Sequence, residues 1–295
     1  MKGRLAFAVC FAVLAALSAA AASRAEQAAG PDTEVVLGFV PYYNVANLQF
    51  SAEPLVQMLS RELGRPVRGF FSPNYTALVE AMGTGRVDVT FLSAFTYVLA
   101  RERHGAQVLL TVVRNGNTHY RSQIIVRSDS PIRTLEDLRG RTFAFGDYGS
   151  SSGYLYPAAF LKQHGIDPER DLLAVSLGQH DAVVQAVLMG DADAGATFED
   201  AHILLFSDEY PDIDERLRKL AVTDDIPYDT ITARPGLPPE LAEAIIRAFE
   251  RIAATDEGRR VLQELYRIDG VVRARDEDYD VVRRTAELMG IREGL

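Results

Sequence analysis

The residues "GDYGSSSG" (146–153) contain the pattern G-x-S-x-G, which in serine hydrolases holds the nucleophile on a sharp turn between a strand and a helix. A predicted helix follows, and the first N–H groups of a helix lack partners within it while its dipole is positive there. Serine hydroxyls at such a helix start are also suited to bind an anion without chemistry. The pattern therefore leaves two interpretations: Ser151 as a nucleophile, or Ser150, Ser151 and Ser152 together as an anion clamp.

A hydrolase needs more than this pattern. The nucleophile should follow its strand directly, but the predicted strand "RTFAFG" ends near Gly146, and Asp147, Tyr148 and Gly149 come between it and the serines. His180 is a candidate base for the same cleft, yet no glycine-rich oxyanion loop of the "HGGG" kind lies upstream. These gaps favour the clamp over hydrolysis, while an ordinary serine cap explains the serines as well as the clamp does.

The elements around this loop alternate between short β-rich runs and amphipathic helices, which predicts an α/β fold with mostly parallel sheets. Two such units occupy residues 35–114 and 127–225. Two strands, around Ser122–Val126 and Thr230–Ala233, bracket the second unit and are predicted to cross between two lobes. The resulting cleft is a common kind of ligand site, faced by strand ends and helix starts. The predicted boundaries are 33–121 and 231–295 for lobe 1, and 122–230 for lobe 2.

A secretory signal peptide is predicted at residues 1–25. It has a basic start with Lys2 and Arg4, an apolar stretch, and small residues before the cleavage site. The only cysteine of the chain, Cys10, lies inside the apolar stretch, so the mature protein has no thiol and no disulfide. Removing Lys2, Arg4 and Arg24 changes the formal net charge from −10 to −13. This charge argues against nucleic acid or an anionic membrane as a partner, and no insertion of the mature chain into a membrane is expected.

The stretch "GDYGSSSGYLYPAAFLKQHGID" (146–167) resembles the signature loop and helix of PhnD-type proteins. These are the phosphate-, phosphite- and phosphonate-binding solute receptors of ABC transporters. Residues 70–100, 180–197, and the tail 257–272 with 276–283 are similar to further segments of the family, in the same order. The resemblance covers roughly residues 33–290. It implies a type II periplasmic binding protein, with two α/β lobes, a two-strand hinge and closure on the ligand.

The resemblance also implies ligand-binding residues: phenols from Tyr75 and Tyr120, hydroxyls from Ser150, Ser151 and Ser152, the histidine His180 and the acid Asp229. Each has a plainer explanation from its sequence context alone. Packing in the core or an interface explains the tyrosines, a buried and satisfied ring explains the histidine, and a loop cap explains the aspartate.

Two further candidates are Ser93 and Glu199. Ser93 begins a predicted helix that faces the cleft, although a plain helix cap explains it equally well. Glu199 is the nearest candidate for an acid that would hold an amine of the ligand, and Asp200 competes for that role.

Asp229 has a consequence for the ligand. A carboxylate beside a phosphorus oxyanion is repulsive unless the ligand offers a proton or a cation. No lysine or arginine is expected at the site, so selectivity should come from hydrogen bonds and shape. We therefore expect a ligand with a P–OH group or an amine, and rejection of a full dianion.

The sequence thus predicts an exported receptor that delivers a small phosphorus oxyanion (phosphonate, phosphite or phosphate) to an ABC permease in the inner membrane. No metal, cofactor or catalytic residue is expected. Three alternatives remain: a sensor of the same fold that signals to a membrane histidine kinase, a receptor for a different small molecule such as a carboxylate or sulfonate, and a serine hydrolase that uses Ser151.

Overall fold

The computed structural model of the protein describes residues 34–42 and 47–291. The predicted signal peptide lies outside these residues. Within the described ranges, no helix has the length and apolar character needed to cross a membrane. The strands are β1 (Val35–Phe39), β2 (Val67–Phe71), β3 (Val89–Leu92), β4 (Gln107–Val113), β5 (His119–Arg127), β6 (Thr142–Phe145), β7 (Leu173–Ser176), β8 (Ala194–Phe198), β9 (Leu217–Pro227), β10 (Thr230–Ala233) and β11 (Gly270–Arg273).

The helices are α1 (Leu48–Leu63), α2 (Tyr75–Gly83), α3 (Ala94–His104), α4 (Tyr156–Gln163), α5 (Pro168–Asp171), α6 (His180–Met189), α7 (Ala201–Phe206), α8 (Ile213–Arg216), α9 (Pro239–Ala254), α10 (Asp256–Tyr266) and α11 (Asp280–Leu288). A π-helical turn, Ser151–Leu155, leads directly into α4. Short 3₁₀ turns occur at Glu136–Leu138 and Asp276–Tyr279.

The strands form two sheets, in the orders β11-β4-β10-β3-β1-β2 and β7-β6-β8-β5-β9. In the first sheet β2, β1 and β3 are parallel, whereas β10, β4 and β11 form antiparallel pairs. In the second sheet β7, β6 and β8 are parallel, and β5 pairs antiparallel with β8 and β9. The fold is α/β as predicted, but the sheets are mixed, because β10 and β11 in the first sheet and β5 in the second run against the parallel strands.

The chain passes between the sheets twice. The first crossing is residues 114–118, between β4 and β5, and the second is Tyr228 with Asp229, between β9 and β10. The crossings lie side by side, since Tyr228 N–H donates to Thr118 O at 2.9 Å and Val112 N–H donates to Asp229 O at 3.0 Å. These hydrogen bonds tie the two crossings into one double-stranded connection.

The strands predicted to cross lie a few residues away from these connections. Ser122–Val126 is inside β5 of the second sheet, and Thr230–Ala233 is β10 of the first. A strand and an extended connection between two sheets favour the same residue types. The sequence pattern therefore does not show at which residue the chain leaves one sheet for the other. The lobe boundaries proposed from the sequence stay predictions, and "lobe" below means the part of the chain built on one sheet.

Helices cover both faces of the second sheet. Along β5, Ile124 belongs to one buried cluster and the next residue, Ile125, to another. Phe143 and Ala144 of β6 divide in the same way. Successive side chains of a strand point to opposite faces, so this division places an apolar core on each side of the sheet. The first lobe has one large cluster that includes Leu37 of β1.

We predict that Gly258→Ala destabilises the first lobe without touching the cleft. Gly258 is buried in the first turn of α10, where a Cβ atom would overlap the carbonyl of Ile252 at the end of α9. Overpacking of this kind typically costs about 1–3 kcal/mol. Urea unfolding should show this loss, whereas Gly270→Ala, whose Cβ would meet its nearest atom at 3.9 Å, should cost far less. Equal stabilities of the two variants would contradict the predicted packing of α10.

Candidate functional site

A cleft of about 580 Å³ lies between the two lobes. Its volume is in the range of small-molecule binding sites. Most of the residues predicted from the sequence line it: Tyr75, Ser93, Tyr120, Ser150, Ser152, His180, Glu199 and Asp229. Ser151 is the predicted residue that does not. The cleft is also lined by residues that the sequence reasoning missed, among them Tyr42, Arg114, Arg121, Tyr228 and Tyr266.

The serine loop, residues 146–152, approaches the cleft with a fixed backbone. Gly146 N–H donates to Gly153 O at 2.9 Å, which ties the loop to the turn that follows. Ser150 Oγ accepts Gly153 N–H at 3.0 Å, so this serine caps the π-helical turn. Ser150 and Ser152 therefore face the cleft at the positive end of a helical segment.

Ser151 faces the opposite lobe instead. Its side chain is fully buried, and its Oγ accepts the N–H of Phe95 at the start of α3, at 2.9 Å. Beside it, Gly149 O accepts hydrogen bonds from Ser93 Oγ at 2.8 Å and from Thr96 Oγ1 at 2.6 Å. These three hydrogen bonds form what we call the closing contact. Ser93 also caps α3, since its Oγ accepts Thr96 N–H at 3.1 Å.

Gly149 is required by this closing contact. A Cβ atom at this position would lie 2.6 Å from Cβ of Tyr75, which belongs to the other lobe. The sequence pattern suggests that the glycine lets backbone approach a ligand. In the structure it lets one lobe approach the other.

Aromatic side chains form the wall of the cleft on the first lobe. Tyr42 packs against Tyr75, with ring centroids 6.0 Å apart, and against Tyr266 at 4.6 Å. The hydroxyl of Tyr42 is buried and has no hydrogen-bond partner among the described residues. Burial raises the pKa of both Tyr42 and Tyr75, so both phenols stay protonated and can donate to an oxyanion.

A stack of three side chains lies at the crossings. Tyr120 and Tyr228 stack face to face, 4.6 Å apart and 5° from parallel, and the guanidinium of Arg114 lies 4.7 Å from the centre of the Tyr228 ring. The pKa of Tyr120 is raised by burial. The stack orders these side chains around the crossings, with Tyr120 lining the cleft as predicted.

The expectation that the site lacks lysine and arginine is wrong. Arg114 Nη2 lies 2.8 Å from Asp229 Oδ2, and the two side chains are only 17% and 11% exposed. One partner comes from each crossing, 115 positions apart in the chain, which is why the sequence alone does not reveal the pair. Asp229 therefore lies in the cleft as predicted, but its charge is compensated.

Glu199 is also paired. Arg121 donates two hydrogen bonds to the Glu199 carboxylate, from Nε at 2.9 Å and from Nη2 at 3.0 Å. Lys219 Nζ lies 3.2 Å from Glu199 Oε1. Lys219 also contacts Asp200 at 2.6 Å. The two acids considered for an amine of the ligand thus already have cationic partners within the protein.

His180 begins α6 and faces the cleft. Its Nδ1 forms a hydrogen bond of 2.8 Å with Thr197 Oγ1, and its backbone N–H donates to Tyr42 O of the other lobe at 3.1 Å. Burial lowers the pKa of His180 to about 4, so the imidazole is neutral near pH 7. A neutral ring has one donor and one acceptor nitrogen, and Nε2 is the one not engaged by Thr197.

Together these groups line the cleft with neutral hydrogen-bond donors, an arrangement suited to an anion. The starts of α2, α6 and the π-helical turn all meet the cleft, and helix starts stabilise negative charge. The charged side chains described above come in pairs of opposite sign. A two-lobed α/β protein with such donors in the cleft between its lobes has the features of a solute-binding protein.

Comparison with known proteins identifies the family. Residues 37–279 match the family model for the periplasmic phosphonate-binding protein of ABC transporters. The chain is 30% identical to the phosphate-import protein PhnD of Mycolicibacterium smegmatis, over 96% of this chain and 94% of that protein. It therefore belongs to the family of periplasmic substrate-binding proteins of phosphonate-type ABC transporters.

Solved structures share the fold. A binding component of an ABC phosphonate transporter from Pseudomonas aeruginosa superposes with a TM-score of 0.77 at 23% identity, covering 85% of each chain. PhnD1 of Prochlorococcus marinus, solved with methylphosphonate, gives a TM-score of 0.76 at 19% identity, covering 89% of this chain and all of that one. At these identities the likeness supports the two-lobed fold.

We predict that Gly149→Ala weakens ligand binding by hindering closure. The added methyl group would overlap Tyr75 only when the lobes are together, at a cost of about 1–3 kcal/mol in the closed form. Calorimetric titration should show the loss, while the thermal unfolding temperature without ligand should change little. Gly270→Ala serves as the control. Unaltered affinity in Gly149→Ala would contradict the role of the closing contact.

A second prediction concerns pH. The pKa of His180 is about 4 in the folded protein and 6.5 for an ordinary histidine, so the unfolded chain takes up the proton first as pH falls. The contribution of neutral His180 to the free energy of unfolding is complete above pH 6.5. It decreases as the pH falls towards 4, by about 1.4 kcal/mol per pH unit. His180→Gln cannot titrate, so its urea-unfolding free energy should decrease less steeply than that of the wild type. Parallel curves for the two proteins would show that His180 is not held neutral.

Proposed function

We propose that this protein captures a small phosphorus oxyanion in the interlobe cleft and delivers it to an ABC permease in the inner membrane. The observation that carries the proposal is the serine loop, with Ser150 and Ser152 at a helix start and buried phenols of Tyr42 and Tyr75 on the opposite wall. A phosphoryl group carries several acceptor oxygens, and these donors converge on it from both lobes.

The names of relatives support this ligand class. The Mycolicibacterium relative is named for phosphate import, and the Prochlorococcus structure contains methylphosphonate. The periplasm is where this family acts, and the predicted signal peptide at residues 1–25 would direct the chain there. A phosphonate, phosphite or phosphate all offer the same oxyanion to the serine loop.

Binding is proposed to hold the lobes in the closed form. The closing contact is made by the loop that also carries Ser150 and Ser152, so a ligand that orders this loop would favour closure. In this proposal no covalent bond is made or broken. The serines act as hydrogen-bond donors and acceptors, and Ser151 has no nucleophilic role.

The test is calorimetric titration of the mature protein with phosphate, phosphite, methylphosphonate and, for comparison, a sulfonate and a carboxylate. We expect at least one phosphorus oxyanion to bind best. Ser152→Ala should then lose about 1.5–3 kcal/mol, the value of a hydrogen bond to a charged group, which is about a 10- to 150-fold weaker Kd.

Ser207→Ala is the matched control, because Ser207 is exposed and lies outside the cleft. Tighter binding of the sulfonate or the carboxylate would contradict the proposed ligand class but would still agree with a role as a solute receptor. Turnover of an ester substrate that disappears in Ser151→Ala would instead favour the hydrolase alternative.

A further inference from the structure

The Arg114–Asp229 pair is fixed more firmly than an ordinary ion pair of a cleft. Besides its contact with Asp229, Arg114 donates from Nε to the carbonyl of Tyr266 at 3.1 Å and lies against the Tyr228 ring. The pair therefore joins both crossings to the end of α10. A side chain held by a carboxylate, a carbonyl and an aromatic face has little freedom to leave its partner when a ligand enters.

An unpaired Asp229 would change what the cleft can hold. It lies among the phenols and serines that are proposed to bind the oxyanion. Without a cation beside it, its charge would repel a dianion and attract a ligand with a positively charged substituent. With Arg114 in place, the pair has no net charge.

The other acids of the cleft do not offer an amine a buried unpaired carboxylate. Glu199 is held by Arg121 and Lys219, and Lys219 also contacts Asp200. Asp225, the remaining acid that lines the cleft, is exposed to solvent. A ligand ammonium group would meet a carboxylate already shared with a protein cation, or one in contact with water.

We infer that Arg114 is a specificity-determining residue: by pairing with Asp229 it makes the cleft select phosphorus oxyanions whose substituent carries no positive charge, dianions included. The inference rests on the proposed function, because it presumes that a phosphorus oxyanion is the ligand. It reverses the expectation from sequence that the ligand carries a P–OH group or an amine.

The experiment compares two ligands of the same size, propylphosphonate and 2-aminoethylphosphonate, which differ by a methyl against an ammonium group. Calorimetric titration should show that the wild type binds propylphosphonate at least tenfold more tightly. Arg114→Met exposes Asp229 and should shift this ratio at least tenfold towards the ammonium compound. Arg114→Met with Asp229→Asn should abolish that shift, and Arg114→Lys should preserve much of the original preference.

Arg68→Met is the matched control, since it removes the same charge from a half-exposed surface pair with Glu34. If Arg114→Met does not fold by circular dichroism, Asp229→Asn gives the converse test: an unpaired Arg114 should widen the preference for propylphosphonate. If the ratio of the two affinities stays the same in Arg114→Met, or in Asp229→Asn, the inference about Arg114 is wrong, while the proposed function stands. A wild type that binds no phosphorus oxyanion overturns the proposed function with it.

Discussion

The closing contact is the interaction on which the rest of the site depends. The first N–H groups of a helix need partners from outside the helix, and at α3 one of them finds Ser151 Oγ across the cleft. Gly149 O is held in the same place by two hydroxyls of the first lobe. The enclosed volume exists because this loop reaches across. The sequence "GSSSG" therefore provides the hydrogen bonds that join the two lobes as well as the hydroxyl groups that line the cleft.

Burial decides the charge of the cleft. A buried phenol or imidazole favours its neutral form, and this applies to Tyr42, Tyr75 and His180. Buried carboxylates are costly unless they are paired and hydrogen-bonded, and Asp229 meets both conditions through Arg114. The site thus presents oriented dipoles and hydrogen-bond donors rather than a net positive charge. Such a site distinguishes ligands by the number and direction of their acceptors.

Local patterns in the sequence were enough to predict the α/β architecture, and together with the family resemblance they predicted eight of the residues that line the cleft. Alternating elements and capped helix starts are encoded within a few neighbouring residues, so Ser93 and the serine loop could be placed from short windows, whereas Tyr75 was proposed from the family resemblance. The mixed direction of the sheets could not be predicted in this way, because strand direction depends on how distant segments return to each other. The cation beside Asp229 was missed for the same reason.

Tyr42 and Arg114 did carry a signal that sequence reasoning could have used. Both follow the end of a strand, β1 and β4, on sheets whose strand ends border the cleft. Polar or aromatic residues just beyond the carboxyl end of a strand are candidates for any α/β cleft. Family resemblance directed attention to motif positions instead. The role of Ser151 had no such signal, because only the position of α3 in the opposite lobe shows which way its hydroxyl points.

The contacts of Ser151 and the burial of His180 argue against a nucleophile and a base at this loop. A nucleophilic serine must pass its proton to a base, and a useful base has a pKa near the working pH. Ser151 is engaged by a backbone N–H, and burial takes the pKa of His180 to about 4, so the ring is a weak base at neutral pH. That same burial keeps the ring uncharged, which leaves it a hydrogen-bonding group that adds no charge to the cleft. The burial of His180 therefore favours a neutral hydrogen-bonding role over the activation of a nucleophile.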